Sequence, residues 1–253
     1  MISCDKIALN YDIHWYDKTK QTKIEYVQQL ASELPVAISK SYVLTDSWYT
    51  CADLINAFTA KGYFYIGALK TNRIIYPYGE RISVSDFVLE VLQKSSFNLV
   101  TVKGKKYYAY RYEGKLNDIK NAVVIITLPV NGGFVGPHPN MKVLNAFICT
   151  DLSFDTETIL EYYSERWCIE TFFEQEKDHG FDKYQIRSMK GIERLWLIMS
   201  LFHLLCSVGL GSAMPFGVGM RLLRRSINED KIAGIYQFAQ NDVPLEDIYA
   251  LSA

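Results

Sequence analysis

The first third of the chain alternates between strand-like and helix-like spacing of its apolar residues. Residues 6–15 alternate in part and predict a strand, whereas residues 23–34 carry apolar positions at helical spacing. Short apolar runs at 43–45 and 64–70 predict buried strands.

A helix is predicted between these last two strands. Thr50 and Asp53 have the spacing of a capping box, and Gly62 lies where the helix would end. The order strand, helix, strand, helix, strand predicts an α/β fold with a mostly parallel sheet and helices on its faces.

The pattern changes between residues 74 and 141, where tyrosine, valine and isoleucine are frequent and turn residues recur. Short strands joined by hairpins are the prediction for this stretch. A buried strand is expected at 143–150, a long helix at 156–177 and a second long helix after Ser188. One or two short amphipathic helices are expected over 221–253.

One apolar stretch is long enough to raise the question of a membrane span. Residues 195–220 contain no Asp, Glu, Lys or Arg, and about 20 such residues can cross a bilayer. However, His203 interrupts the run, and glycines and a proline break its second half. We therefore predict a buried core helix over 190–208 and no membrane partner.

The predicted helix at 156–177 carries an unusual line of polar residues. Tyr163, Arg166, Glu170 and Lys177 follow one another at intervals of three, four and seven residues. At about 100° per residue they fall within about 60° of arc on a helix, beside bulky apolar residues. A carboxylate flanked by cations and a phenol suits a metal ligand next to phosphate-binding groups.

This spacing resembles the Tyr-x2-Arg-x3-Glu-x6-Lys signature of bacterial insertion-sequence transposases of the DDE type. Asp46, at the end of a predicted buried strand, resembles the second catalytic aspartate of that family. Lys70, Asn72 and Arg73 resemble the family pattern after the next strand. The resemblance covers roughly residues 5–210 and implies a ribonuclease-H-like core with a β-rich insertion, whose activity is DNA transposition.

The resemblance implies that Asp46 and Glu170 bind Mg²⁺ or Mn²⁺, with two ions in the complete family site. Two carboxylates leave positions on such ions for phosphate and water, and a pair of ions can activate the attacking oxygen and stabilise the leaving one. The residues implied to contact DNA are Tyr163, Arg166, Lys177, Lys70 and Arg73.

Structural roles compete with these assignments. Asp46 could cap a helix, and Glu170 could be an exposed glutamate paired with Arg166 one turn earlier, a contact worth a few tenths of a kcal/mol. The phenol and the cations could serve helix packing or surface charge instead.

The composition is that of an ordinary globular protein, with a net charge of −1. DNA-binding enzymes are usually basic, because phosphate neutralisation supplies much of their affinity. The basic residues are therefore concentrated on one face, or the main DNA-binding module lies elsewhere.

The basic turn at Lys103, Lys105 and Lys106, followed by tyrosines, suits DNA contact and an ordinary hairpin equally well. The five scattered cysteines predict reduced thiols in a cytoplasmic protein and no zinc site.

The resemblance also implies a first catalytic aspartate on an earlier strand, separated from Asp46 by two further strands and a helix. Asp5, Asp12 and Asp17 are the candidates upstream of the first predicted helix, and none follows a strand with enough chain after it. We therefore expect a truncated remnant that lacks two strands and one ligand, binds catalytic metal poorly and exposes an unpaired strand edge.

The expected organisation is a first core part over 1–73, the insertion over 74–141, a last core part over 142–210 and a helical tail over 211–253. The expected function is metal-dependent strand cleavage and transfer on double-stranded DNA, at element ends and target, by a homodimer. Two alternatives stay open: a non-catalytic DNA-binding or dimerising fragment that modulates an intact transposase, and a nuclease of the same fold that cuts without end specificity.

Overall fold

The computed structural model describes residues 2–4, 7–9, 16–178, 180, 182–208 and 213–252. The chain divides into two compact units. We call Tyr16–Trp167 the sheet unit, and Met1–Trp15 together with Cys168–Ala253 the helical unit.

The elements follow one another in a mixed α/β order. The strands are β1 (Ile2–Cys4), β2 (Ile7–Leu9), β3 (Tyr42–Thr45), β4 (Phe64–Leu69), β5 (Ile74–Ile75), β6 (Ile82–Ser83), β7 (Asn98–Val102), β8 (Lys105–Leu116), β9 (Ile119–Pro129), β10 (Phe134–Val135), β11 (His138–Pro139) and β12 (Asn145–Cys149). The helices are α1 (Lys23–Glu33), α2 (Ala52–Thr59), α3 (Val84–Asp86), α4 (Thr156–Ser164), α5 (Cys168–Asp178), α6 (Met189–Val208), α7 (Phe216–Gln240) and α8 (Leu245–Ser252). A π-helical turn, Phe87–Val91, continues α3.

A six-stranded sheet with the order β3-β4-β12-β9-β8-β7 organises the sheet unit. Within this sheet, β3 and β4 pair in parallel, and all the other neighbouring strands pair antiparallel. The prediction of a mostly parallel sheet is therefore wrong. The strands of the β-rich stretch extend this sheet beyond β4, and tight hairpins between β7, β8 and β9 make them antiparallel.

Strand β9 shows how the sheet is covered on both faces, because nearly all of its second half is buried. Val124, Ile126 and Leu128 belong to a core shared with α1, α2 and the π-helical turn. Val123 and Ile125 belong to a second core shared with α4. Helical elements therefore pack on each face of the sheet.

Strand β3 lies at one end of the sheet and pairs only with β4 among the described strands. An edge strand with unpaired backbone groups is a template for another strand. The unpaired edge expected from the sequence is thus present in the described part of the sheet unit.

The capping box predicted at Thr50 does not form. Cys51 is the N-cap of α2 and provides no side-chain cap. The Thr50 hydroxyl instead donates to the Asp46 carbonyl at 3.1 Å. Because the turn after β3 uses that hydroxyl, Asp53 has no partner with which to complete a box.

The single helix predicted over 156–177 is interrupted. Helix α4 ends at Ser164, a 3₁₀ turn covers Glu165–Trp167, and α5 begins at Cys168. The Ser164 hydroxyl donates to the Glu161 carbonyl at 2.6 Å, a contact that bends helices. Glu165 is held by Lys103 at 2.7 Å. This tertiary ion pair accompanies the local tightening of the chain.

In the helical unit, β2 pairs with β1. The remainder of the strand predicted over 6–15 lies outside the described residues. Helix α6 has nearly the predicted bounds, but the prediction that it is buried is wrong for one face. Four side chains on that face are more than half exposed: Leu197, Ile198, Leu201 and Leu205.

One described helix, α6, is long and apolar enough to cross a membrane by length and composition alone. Core helices of soluble proteins pass the same test, so this observation by itself is weak evidence for a span.

Helix α7 is longer than the short helices predicted for the tail. Glycines between 217 and 219 indicated a break, yet Gly219 lies inside the helix. A Cβ atom at Gly219 would lie 1.7 Å from the Cys206 carbonyl oxygen. The glycine therefore allows α7 to approach α6 closely.

A buried carboxylate ties the start of β3 to the end of β12. Asp151 Oδ2 lies 2.7 Å from Lys40 Nζ and accepts a hydrogen bond from the Tyr42 hydroxyl at 2.9 Å. Ser153 donates to Oδ1 through its backbone N–H and its hydroxyl. Burial alone would raise the pKa of Asp151, but these hydrogen bonds outweigh it and hold the pKa at about 2.

We expect Asp151→Asn to lower the free energy of unfolding by about 2 kcal/mol at neutral pH, because the charge-assisted bonds are lost. The folded pKa lies below the reference value of 3.8, so this stabilisation is present above that value and is lost as the pH falls towards 2. Urea unfolding between neutral and acid pH measures it. Asp118→Asn, at an exposed turn position, is the matched control. An equal difference between wild type and Asp151→Asn at every pH would contradict the assignment.

Candidate functional site

Polar side chains from several strands lie along the edge of the six-stranded sheet that is formed by strand ends. Strands β3 and β4 both end there, and β12 begins there, because Ala146 pairs with Leu69. The turn between β7 and β8 lies along the same edge, as the register of β8, β9 and β12 requires. We call the residues that follow β3 and β4, precede β12 and join β7 to β8 the polar edge.

Asp46 is the first residue after β3, and its side chain is exposed. Its Oδ1 accepts backbone hydrogen bonds from Trp48 at 2.8 Å and from Tyr49 at 3.4 Å. These bonds form a tight turn that holds the carboxylate at the polar edge. Since Cys51 is the N-cap of α2, Asp46 does not cap that helix.

Lys70 and Arg73 follow β4 but have different surroundings. Lys70 is exposed, and its Nζ lies 5.5 Å from the centre of the Trp48 ring. Arg73 is half-buried and donates from Nη2 to the Thr50 carbonyl at 3.2 Å. Lys70 therefore presents its charge at the polar edge, whereas part of the Arg73 guanidinium holds the start of α2.

A cleft of about 780 Å³ opens at the polar edge, within the sheet unit. Its polar lining residues are Ser47, Lys70, Thr71, Asn72, Tyr107, Thr127, Asn145, Tyr163 and Ser164. Hydroxyls, amides and an ammonium can donate hydrogen bonds without adding negative charge. Such a lining suits the phosphate and sugar groups of a nucleic-acid backbone.

Tyr163 brings part of the sequence signature to this cleft, and Arg166 lies near its ring. The Tyr163 ring packs on Phe147 of β12, with 4.7 Å between ring centres. The Arg166 guanidinium lies 5.8 Å from the centre of the Tyr163 ring. Tyr163 thus has a packing role and also lines the cleft.

The basic turn between β7 and β8 is a tight hairpin. Lys103 and Gly104 both have positive φ, 46° and 78°, as a two-residue turn of this kind requires. Lys103 pairs with Glu165, whereas Lys105 and Lys106 are exposed.

Glu170 and Lys177 belong to α5, in the helical unit. They are two helical turns apart and therefore on one side of α5. Glu170 is half-buried and Lys177 is exposed. Asp46, Tyr163 and Arg166 belong to the sheet unit.

A third carboxylate for this site is not found among the described residues. Asp17 accepts hydrogen bonds from Thr19 within a turn, and Asp5 and Asp12 lie outside the described residues. Across the described part of the chain, no group of three His, Cys, Asp or Glu side chains could hold a metal ion.

The family model described as transposase DDE domain matches residues 6–205. The chain belongs to the DDE transposase family. The resemblance drawn from the Tyr-x2-Arg-x3-Glu-x6-Lys spacing is thereby confirmed at the family level. A transposase role and a DNA substrate follow from this membership, as does the general use of divalent metal ions. No curated protein matches this transposase.

Thr127 and Asn145 line the cleft of this transposase but were not predicted as site residues. Thr127 lies on β9, in the stretch predicted to form hairpins, and Asn145 is the first residue of β12. Their nearness to Lys70 depends on the antiparallel register of β12 with β4, where Ala146 pairs with Leu69. The sequence contains no local signal for that register.

Proposed function

We propose that this transposase catalyses metal-dependent DNA strand cleavage and strand transfer, with Asp46 and Glu170 as metal ligands. Membership of the DDE family supports a phosphoryl-transfer reaction on DNA. The observation that carries the proposal is the position of Asp46, held by its own turn next to Ser47, which lines the cleft at the polar edge. The ribonuclease-H-like form of the core is part of the same proposal.

Carboxylates fit the metal that this family uses. Mg²⁺ and Mn²⁺ prefer oxygen ligands, and Mg²⁺ is commonly held by one or two carboxylates plus water and phosphate. In Asp46 the described hydrogen bonds occupy Oδ1 and leave Oδ2 available. Bound metal would supply charge neutralisation for the attacking and leaving oxygens.

The chain's own residues would hold the DNA. Lys70 and Lys177 can contact phosphates as point charges, and Arg166 can do so through a bidentate fork. Tyr163 can donate a phenolic hydrogen bond into the cleft. Arg73 supports the site through the start of α2 and contributes its remaining N–H groups.

A third carboxylate is needed for the complete family chemistry. We propose that it comes from a carboxylate outside the described residues. Assembly of a homodimer on DNA, in the cytoplasm, belongs to the same proposal.

Cleavage of DNA in Mg²⁺ or Mn²⁺ tests the function. We expect the chain, with whatever supplies the third carboxylate, to nick and join DNA in divalent metal and to stop in EDTA. The same protein with Ca²⁺ alone controls for DNA binding without turnover. Equal cleavage in EDTA would contradict metal-dependent chemistry.

The unpaired edge of β3 favours a second candidate, a non-catalytic fragment that binds DNA or an intact transposase. This candidate predicts that binding survives Asp46→Ala and Glu170→Ala and that the wild-type chain never cleaves DNA.

A further inference from the structure

Glu176 and His203 form a buried pair in the helical unit that the proposed function does not use. Glu176 on α5 is 1% exposed, and His203 on α6 is 6% exposed. Glu176 Oε1 lies 3.3 Å from His203 Nδ1. Among the described residues, neither carboxylate oxygen nor Nδ1 has a hydrogen-bond partner, so the contact between the two side chains is electrostatic.

Apolar rings enclose the imidazole. Phe172 of α5 meets His203 edge-on, with 4.6 Å between ring centres. Phe216 of α7 stacks on its face at 4.7 Å and 14°. Phe172 also packs against Trp196 of α6 at 5.8 Å. The pair therefore lies where α5, α6 and α7 meet.

Within the described part of the chain, few other titratable groups face this pair. Cys206 of α6 is buried, and its pKa is raised by burial and by Glu176, so it stays a neutral thiol. On α5, Glu174, Lys177 and Asp178 are exposed to solvent. Helix α7 presents Phe216 to the pair.

The apolar surroundings make each partner costly to bury alone. Together, a carboxylate beside an imidazolium, or a carboxylic acid beside a neutral imidazole, carries no net charge. Removal of one partner leaves a polar or charged group alone among apolar rings, which destabilises the packed helices.

We propose that Glu176 and His203 act as a positioning pair that fixes α5 against α6. Glu176 lies six residues after Glu170 and next to Lys177 on the same helix. Fixing Glu176 therefore also fixes the orientation of the candidate metal ligand and of the candidate phosphate contact within the helical unit. The positioning role rests on the proposed function, whereas the pairing does not.

A double-mutant cycle on the full chain tests the pairing. The variants are Glu176→Met, His203→Leu and the double variant, with Glu174→Met as the matched exposed control on α5. Each single change strands one polar group in an apolar site, whereas the double change removes both. We expect the double variant to lose less thermal stability than the sum of the single losses, and at least one single variant to melt below it.

The cycle also has an outcome that decides against the pair. Single losses of thermal stability that simply add in the double variant overturn the proposal.

Hydrogen exchange locates the effect and keeps the outcome separate from catalysis. Amides of α5 should exchange faster in each single variant and recover in the double variant, while amides of β9 in the sheet unit stay unchanged. Cleavage should fall at least about tenfold in the single variants and recover in the double variant, but not when Glu170→Gln is added. Failure of all cleavage would count against the proposed function alone, because the Tm and exchange measurements do not depend on it.

Discussion

Asp46→Asn and Glu170→Gln are each expected to lower metal-dependent DNA cleavage by about 10³-fold or more, which is ~4 kcal/mol in the barrier. Both changes keep the shape of the side chain and remove its negative charge. A neutral amide is a poor ligand for Mg²⁺, which prefers charged oxygen. Asparagine at position 46 can still accept the Trp48 N–H, so the turn after β3 should survive.

Metal affinity provides a second measurement that does not require turnover. Titration of Mn²⁺ by calorimetry should show at least about tenfold weaker binding in either variant. The matched controls are Asp53→Asn on α2 and Glu174→Gln on α5, both exposed acids near the residues they control for. If a control lowers cleavage as much as its partner does, the effect is one of overall charge and the ligand assignment is wrong.

The sequence predicted those elements whose signal is local. Helix α1, strands β3 and β4 and helix α6 lie within a few residues of their predicted bounds, because their apolar spacing is complete within each segment. Sheet direction was not predictable in this way. The hairpin strands join the same sheet through β12, and that pairing depends on contacts between residues far apart in the chain.

The interruption after Ser164 has a similar origin. Helical spacing continues through the signature, yet an ion pair from Lys103, distant in sequence, accompanies a 3₁₀ turn there. The signature therefore predicts which residue types occur together, but it does not show that they lie on one continuous helix.

The residues of the candidate site also differ in whether their sequence signal is local or depends on strand pairing. Asp46, Lys70 and Tyr163 were predicted, because each ends a recognisable element or belongs to the signature. Asn145 and Thr127 needed the register of the sheet. Glu176 was missed because it sits among Glu174, Lys177 and Asp178, a run of charges typical of a solvated face.

Phe87→Ala is expected to lower the free energy of unfolding of the sheet unit by roughly 3–5 kcal/mol. Phe87 is fully buried in the π-helical turn after α3, and its ring meets Tyr110 of β8 edge-on at 5.6 Å. It belongs to the same core cluster as Ile55 of α2 and Ile126 of β9. The cavity left by the ring would therefore weaken a core that the β-rich stretch shares with β3, the strand that precedes Asp46.

Denaturant unfolding combined with hydrogen exchange tests whether this core stabilises α2 and β4 together with β8 and β9. Leu89→Ala, in the same turn but 55% exposed, is the matched control and should change stability by no more than about 0.5 kcal/mol. In Phe87→Ala, slowly exchanging amides of α2 and β4 should lose protection together with those of β8 and β9, because one core holds all four elements. If β8 and β9 alone lost protection, the β-rich stretch would fold as its own unit. The polar edge would then join two independently stable parts, and damage to the stretch would leave the turn at Asp46 intact.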